Sequence, residues 1–356
     1  MTSIFASEHG DNLKQIPLKV LMDSKSVGVD LFIAEGEGKY VLLCAKEYGI
    51  PKDKLQRFKQ NNIEIYIREK EYGVFTKYLK AKAKIIASDK HLGRDEKSEI
   101  IYSSAELIVD ELFKNPESVE LVMGTKEIAH TILGHILYED AAFLSMARVL
   151  SYDYYTYSHS VNVCLYAIAI GKKLSLSDSE LSELAHGAIL HDIGKSKISD
   201  KILNKEGPLD EAEFETMKTH TTVGEAILEK LGEKSKIILD SVLSHHEKMD
   251  GSGYPQGLKG EEIPYYAQII AVADVFDALT TKRSYKEALG SFAALKARSY
   301  VDPMVFQKML DWAANIQLRH QEFRFNLMTV ELHHSAEILE HLGAMRLYLM
   351  LDEFAL

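Results

Sequence analysis

Cysteine is nearly missing. Cys44 and Cys164 are the two in 356 residues, too few and too far apart for a disulfide framework. That usage fits a reducing cytoplasm. No uninterrupted apolar run approaches the roughly 20 residues a membrane helix requires. The opening stretch, MTSIFASEHGDNLKQ, lacks the basic start and apolar segment of a secretory signal. These absences predict a cytoplasmic protein without membrane insertion. Basic charge is also short: 42 Lys and Arg face 53 Asp and Glu, for a net charge of −11. A DNA binder usually carries a broad basic surface, so the charge argues against that class. It does not argue against a small anionic substrate, because a few placed cations reverse the field inside a pocket. Internal repeats and low-complexity tracts are absent as well. What is present is an ordinary globular composition, 46% hydrophobic and 27% charged, long enough for two or three domains.

Residues from about Gln15 to Leu79 read as a small mixed α/β unit. Val29–Ala34 suits a strand, Gly36-Glu37-Gly38 a turn, and Tyr40–Leu43 the returning strand. Pro51 is placed to open a helix through Leu55 and Phe58, and Ile63–Ile67 alternates like a half-buried strand. No paired carboxylates, phosphate loop or metal spacing occur there, so sensory, partner-binding and purely structural roles all stay open. The stretch from Lys80 to Glu96, rich in Lys with some Asp, reads as an exposed connection or helix end. From Ser98 the pattern turns helical and mostly stays so to Leu356. Ser177 with Glu180, and Asp210 with Glu213, form capping boxes that start helices ahead of Leu181 and Glu211. The expected fold class is mainly α with a small N-terminal α/β domain. The expected division is 1–90, a connecting helical region 91–145, a helical domain 146–312 and a helical extension 313–356. In that extension Leu332, Ile338, Leu339, Leu342, Met345 and Leu351 suit packing on the core or on a second copy, which leaves a homodimer open.

Helical phase ties the histidines and aspartates together. Leu181, Leu184, Ala185, Ala188 and Asp192 recur at three- and four-residue steps, which sets His191 and Asp192 at the end of an apolar stripe. Ile238, Val242, His245 and His246 repeat the arrangement, and Ile270, Ala273, Asp274 and Asp277 repeat it again. A carboxylate facing a core is costly unless it is paired or bound to metal. Three helices aiming polar groups inward therefore predict one shared site. His186 and the pair His333-His334 have no accompanying motif and read as ordinary core histidines.

The ordered strings YTYSHSVNV (155–163), HDIGKSKISDKIL (191–203), KTHTTVGEAIL (218–228), HHEKMDGSGYPQGLKGEEIP (245–264) and AVADVFDALTTKRSYK (271–286) resemble the HD-GYP family. This is a branch of the HD-domain metal-dependent phosphohydrolases, and the likeness spans roughly Tyr152 to Phe306. It implies an all-helical domain that hydrolyses cyclic di-GMP to linear pGpG, with onward hydrolysis to GMP left open, by a hydroxide held between two metal ions. By motif, one ion takes His159, His191, Asp192 and Asp274. The second takes Asp192, His220, His245 and His246, with Asp192 bridging. Five imidazoles and two carboxylates suit iron, manganese or zinc, and the resemblance favours iron or manganese. Tyr155 stands where some members carry a third-metal glutamate, so two ions are expected. Lys195 is implied as a phosphate contact beside the bridging carboxylate, and Tyr254, Arg283 and Lys286 as further substrate contacts. Gly251, Gly253 and Pro255 would shape the loop carrying Tyr254, which the resemblance also offers as a contact for diguanylate cyclases. Lys282 and Ser284 replace an Asp and a Pro of many relatives, and Val301-Asp302-Pro303 replaces the usual Phe-Asp-Pro, which bears on loop shape and base preference. Three alternatives stay open: hydrolysis of cyclic GMP-AMP, a catalytically slow receptor that signals through a protein partner, and a di-iron oxygenase, against which the GYP string argues.

Overall fold

A computed structural model describes residues 12–21, 26–36, 39–138, 142, 145–146, 156–280 and 304–305. Its N-terminal part is a four-stranded antiparallel sheet in the order β1-β4-β2-β3. The strands are β1 (Leu13–Ile16), β2 (Leu31–Gly36), β3 (Lys39–Cys44) and β4 (Ile65–Arg68). β2 and β3 form a hairpin across the expected turn, and β4 pairs with both β1 and β2. In β4 the alternation places Ile65 and Ile67 in the core. Helix α1 (Lys52–Gln60) begins directly after Pro51, whose fixed φ suits a helix start.

Helix α2 (Tyr72–Ser88) departs from the sequence reading. The lysine-rich stretch is not an exposed connection over most of its length. Leu79, Ala83 and Ile86 continue the apolar stripe begun by Tyr72 and Phe75, so their burial holds the helix to Ser88. Lys84 stays outside, while the Lys82 side chain is buried along the helix flank. The connection shrinks to Asp89–Gly93.

Helix α3 (Arg94–Lys114) follows and is buried on nearly every side, with Ser98, Ser103 and Ser104 as inaccessible as Ile101 and Leu112. It is tied to the sheet unit by an ion pair between Lys14 and Asp110 and by the Tyr72 hydroxyl, which donates to the Leu107 carbonyl at 3.4 Å. Around it stand α4 (Val119–Tyr138), α5 (Thr156–Lys173), α6 (Asp178–Leu190), α7 (Asp200–Leu203), α8 (Glu211–Lys218), α9 (His220–Lys230), α10 (Lys236–Ser244) and α11 (Tyr265–Thr280). Both capping boxes form, at Ser177/Glu180 and Asp210/Glu213. One core runs from Ile16 and Phe75 through Ile108 to Val161, Ala188 and Ile270. A second, smaller cluster of Leu190, Ile193, Leu228, Ile238 and Val242 lies under the junction of α6, α9 and α10. The mainly α fold with a small N-terminal strand region is as the sequence implies. Among the described residues no helix is long and apolar enough to cross a membrane, and both cysteines are free.

Candidate metal centre

Five chain segments deliver their polar side chains to one buried point. α5 supplies His159 from its first turns. α6 ends at Leu190, so His191 and Asp192 sit where the helix gives way to a 3-10 turn, Ile193–Lys197. α9 supplies His220 at its first residue, and α10 ends just before His245 and His246. α11 supplies Asp274 and Asp277 one turn apart. Helix ends dominate this list because a terminal residue can point along the axis into a cavity between neighbours, which a mid-helix residue cannot.

Close packing sets the approach of α9. A Cβ on Gly194 would fall 1.9 Å from the His220 carbonyl oxygen, so only glycine lets the 3-10 turn meet the start of α9 at this distance. Gly253 plays the same part for the following loop, where an added Cβ would lie 2.5 Å from the His246 carbonyl oxygen. Glu247, buried, finishes that loop: its two carboxylate oxygens accept from the backbone N–H groups of Gln256 (2.7 Å) and Leu258 (2.9 Å).

Asp192 is the hub. Its Oδ1 lies 3.4 Å from His220 Nε2 and 3.8 Å from His245 Nε2. Its Oδ2 lies 3.3 Å from His191 Nε2 and 3.8 Å from His159 Nε2. The two oxygens of one carboxylate thus face two different sets of imidazoles. Asp192, His220, His245 and His246 bring candidate ligand atoms within 4.8 Å of one another, and His159, His191 and Asp192 do the same. Asp274 Oδ1 joins the second set at 3.1 Å from His159 Nε2. All seven sequence-predicted metal residues therefore converge. Lys195 is beside them, its Nζ donating to Asp192 Oδ2 at 2.7 Å. Tyr254 stacks on His246 with ring centroids 4.8 Å apart and planes 27° from parallel. Tyr155, Lys282, Arg283, Ser284, Lys286, His333 and His334, and the residues 301–303, lie outside the described residues. His186 is a core histidine, buried on α6 with Nε2 against the Thr125 hydroxyl at 3.2 Å.

The imidazoles are oriented as ligands would be. His191 Nδ1–H donates to the Ala188 carbonyl (2.8 Å), His220 Nδ1–H to Met217 (2.7 Å) and His245 Nδ1–H to Val242 (2.9 Å). Each bond reaches back three residues along the chain and leaves the Nε2 lone pair aimed at Asp192. Burial pushes His220 down to about 3, and it likewise lowers His245 and His246, so these rings are neutral at pH 7. Burial opposes ionisation of Asp192, but His191 and Lys195 hold its carboxyl well below the usual range. His159 runs the other way: burial lowers it, yet Asp274 and Asp277 overcome this and raise it to about 9. Anionic oxygens on both sides of that ring favour a cation there.

Two buried atoms carry the fit test for metal. His191 Nε2 and Asp192 Oδ1 make no hydrogen bond, although each is shielded from water. A buried acceptor left unsatisfied is costly, and one in each half of the cluster suits cations that take lone pairs. Neutral imidazoles with carboxylates form a donor set for a transition metal.

Residues 141–305 match the family model for an HD domain. With the His-Asp doublet at the hub of the cluster, the match decides the matter. This region is an HD domain. It is similar to a cyclic di-GMP phosphodiesterase of Pseudomonas aeruginosa, 35% identical over 58% of this chain and 52% of that protein. It is also similar to the 3'3'-cGAMP-specific phosphodiesterase 3 of Vibrio cholerae serotype O1, at 34% identity over 56% of this chain and 46% of the relative. The chain thus spans about half the length of these curated relatives. A solved HDG"Y"P protein from Bdellovibrio bacteriovorus shares the fold with a TM-score of 0.61 and 21% identity, covering 85% of this chain and all of the other.

Four residues near the cluster were given no role of their own in the sequence reading. Asp277 accepts from His159 Nδ1–H at 2.7 Å, Asn162 donates to Asp277, and Tyr102 donates to Asn162. Glu247 holds the loop described above. Asp277 was visible on the α11 stripe beside Asp274, and its partner was not. Asn162 lies one turn after His159, a spacing that could have flagged it.

Proposed function

We propose that the chain is a metal-dependent phosphodiesterase that hydrolyses cyclic di-GMP to linear pGpG, and on to GMP only slowly. The observation that carries the reading is the single carboxylate of Asp192, whose two oxygens address separate imidazole sets. His159, His191 and Asp274 would hold one ion with Asp192, and His220, His245 and His246 would hold the other. Iron or manganese suits this donor set. When bound, a pair of divalent ions supplies Lewis acidity for phosphoryl oxygens and a water-derived nucleophile at neutral pH.

The chain's own residues carry the remaining steps. Asp192 stays ionised and positions both halves of the cluster. Lys195 holds its ammonium group 2.7 Å from that carboxylate with its side chain 23% exposed, so it can reach a phosphate while remaining anchored. Tyr254, half-buried on His246, offers a ring face for a base, and burial pushes its phenol well up, which keeps the hydroxyl protonated as a donor. Arg283 and Lys286 would add charge toward the same dianionic ligand. Residues 1–90 would form a regulatory unit ahead of the connecting helices, with the phosphodiesterase domain over 146–312 and a helical extension after it. The GYP loop would also serve as a surface for a protein partner.

The similarity to a cGAMP-specific enzyme supports a second reading, hydrolysis of 3'3'-cGAMP. Turnover of the full chain, loaded with iron or manganese, on each dinucleotide separates the two. Cleavage of cyclic di-GMP with cGAMP inert supports the first reading, the reverse outcome supports the second, and no cleavage of either refutes both.

A further inference from the structure

His159 differs from the other imidazoles in what holds it. His191, His220 and His245 are fixed by carbonyls three residues back, whereas His159 is fixed by side chains from two other helices. Its Nδ1–H donates to Asp277 Oδ2 on α11 at 2.7 Å. The second oxygen, Asp277 Oδ1, accepts from Asn162 Nδ2 at 2.9 Å, and Asn162 Oδ1 accepts from the Tyr102 hydroxyl on α3 at 2.6 Å. All are buried, Asp277 at 0% exposure and Asn162 and Tyr102 at 2% each.

The polarity of this chain has one consistent direction. A carboxylate only accepts, so Asn162 must present its NH2 to Asp277 and its carbonyl outward. That carbonyl then needs a donor, which the Tyr102 hydroxyl supplies. Reversing the amide would set its oxygen against a carboxylate and its NH2 against the hydroxyl's proton. Each bond therefore fixes the next, and the last one keeps a proton of His159 on Nδ1 and turns Nε2 toward Asp192 and Asp274. α3 is itself held to the sheet unit through Asp110 and Leu107, which settles where the Tyr102 hydroxyl stands.

We infer that Tyr102 and Asn162 are positioning residues for one of the two ions: through Asp277 they hold His159 in the tautomer and orientation that ligation needs. The inference rests on the reading of His159 as a ligand. In the other ion's set, His220 and His245 have backbone supports of their own that do not pass through this chain.

The test is a Co(II) titration of the metal-free full chain, followed by visible absorption, with thermal unfolding of the metal-free protein as control. Tyr102→Phe keeps the ring and removes the hydroxyl, and Asn162→Leu removes both amide bonds at similar volume. Outer-shell partners of ligating histidines are typically worth about 10–100-fold in affinity. The expected result is that one of two equivalents weakens, about tenfold in Tyr102→Phe and more in Asn162→Leu, with its absorption band altered. The other equivalent should stay within about threefold of wild type. Unchanged affinities in both variants overturn the inference alone. Equal weakening of both equivalents together with a lower melting temperature also overturns it, because that is a packing effect. Wild-type protein that takes up no Co(II) overturns the ligand reading and the inference with it.

Discussion

Gly194 offers the sharpest test of how the centre is assembled. An added Cβ would stand 1.9 Å from the His220 carbonyl oxygen and 2.7 Å from the Gly224 nitrogen, both backbone atoms at the start of α9. Real Cβ contacts stop near 3.0 Å, so Gly194→Ala must force the 3-10 turn and α9 apart by about 1 Å. Neither side can yield by rotating a side chain. The Cβ position of Gly224 is itself crowded, with Val242 at 2.8 Å and the Gly194 nitrogen at 3.3 Å, so this face of α9 has no slack. Overpacking of this kind costs about 1–3 kcal/mol. For a unit of this size that is roughly 2–12 °C in melting temperature. The functional effect should be larger than the stability effect. His220 Nε2 is 3.4 Å from Asp192 Oδ1, and a shift of about 1 Å in a reacting constellation costs on the order of a hundredfold. The assay pairs thermal unfolding with metal content and turnover of cyclic di-GMP. An alanine variant that keeps two ions and half or more of wild-type turnover would refute the argument that this contact places His220.

Chelation should lower the melting temperature by roughly 5–11 °C if free metal stands about a hundredfold above its Kd, worth about 2.7 kcal/mol; no change, or no recovery on adding metal back, contradicts a structural contribution from the ions. Lys195→Ala should cut kcat/KM about a hundredfold with metal content unchanged, and loss of metal in that variant would mean that Lys195 acts through Asp192 instead. Glu117 bridges Lys230 on α9 and Lys197, the last residue of the 3-10 turn, and these lysines lower its carboxyl from the ordinary 4.5 to about 2. A depressed folded pKa contributes stability that is complete above about 4.5 and disappears as pH falls toward about 2. Glu117→Gln should therefore melt slightly below wild type at pH 7, with the gap closing through that window and shrinking in high salt; a gap independent of pH sinks the assignment.

The parts of this molecule that were legible in sequence are those built from short-range regularities. The β2–β3 hairpin follows from two apolar runs around Gly36-Glu37-Gly38, and the starts of α6 and α8 follow from three-residue capping patterns. Five of the seven converging side chains, His191, Asp192, His245, His246 and Asp274, were legible on apolar stripes whose phase fixes their direction, while His159 and His220 came only from the resemblance. The lysine-rich stretch misled because charge was weighed over phase: Leu79, Ala83 and Ile86 keep the helical step while the lysines between them carry the composition. Arg283 and Lys286 fall outside the described residues, so their part stays with the proposal.

The supports of the cluster divide by the same rule. His191, His220 and His245 are oriented by carbonyls three residues earlier, a geometry any helix end provides without specifying a partner. Their orientation is therefore implicit once helix ends are placed. His159 lies in the first turn of α5, and its Nδ1–H takes its acceptor from another element rather than from a carbonyl of its own helix. Asp277 supplies it from 118 positions away, Asn162 donates to the other oxygen of that carboxylate, and Tyr102 donates to Asn162. Nothing in local spacing encodes a pairing of that length. This histidine thus rests on a distant carboxylate, and a buried carboxylate demands further donors. The side chains hardest to read from the sequence are the ones that this chemistry makes necessary.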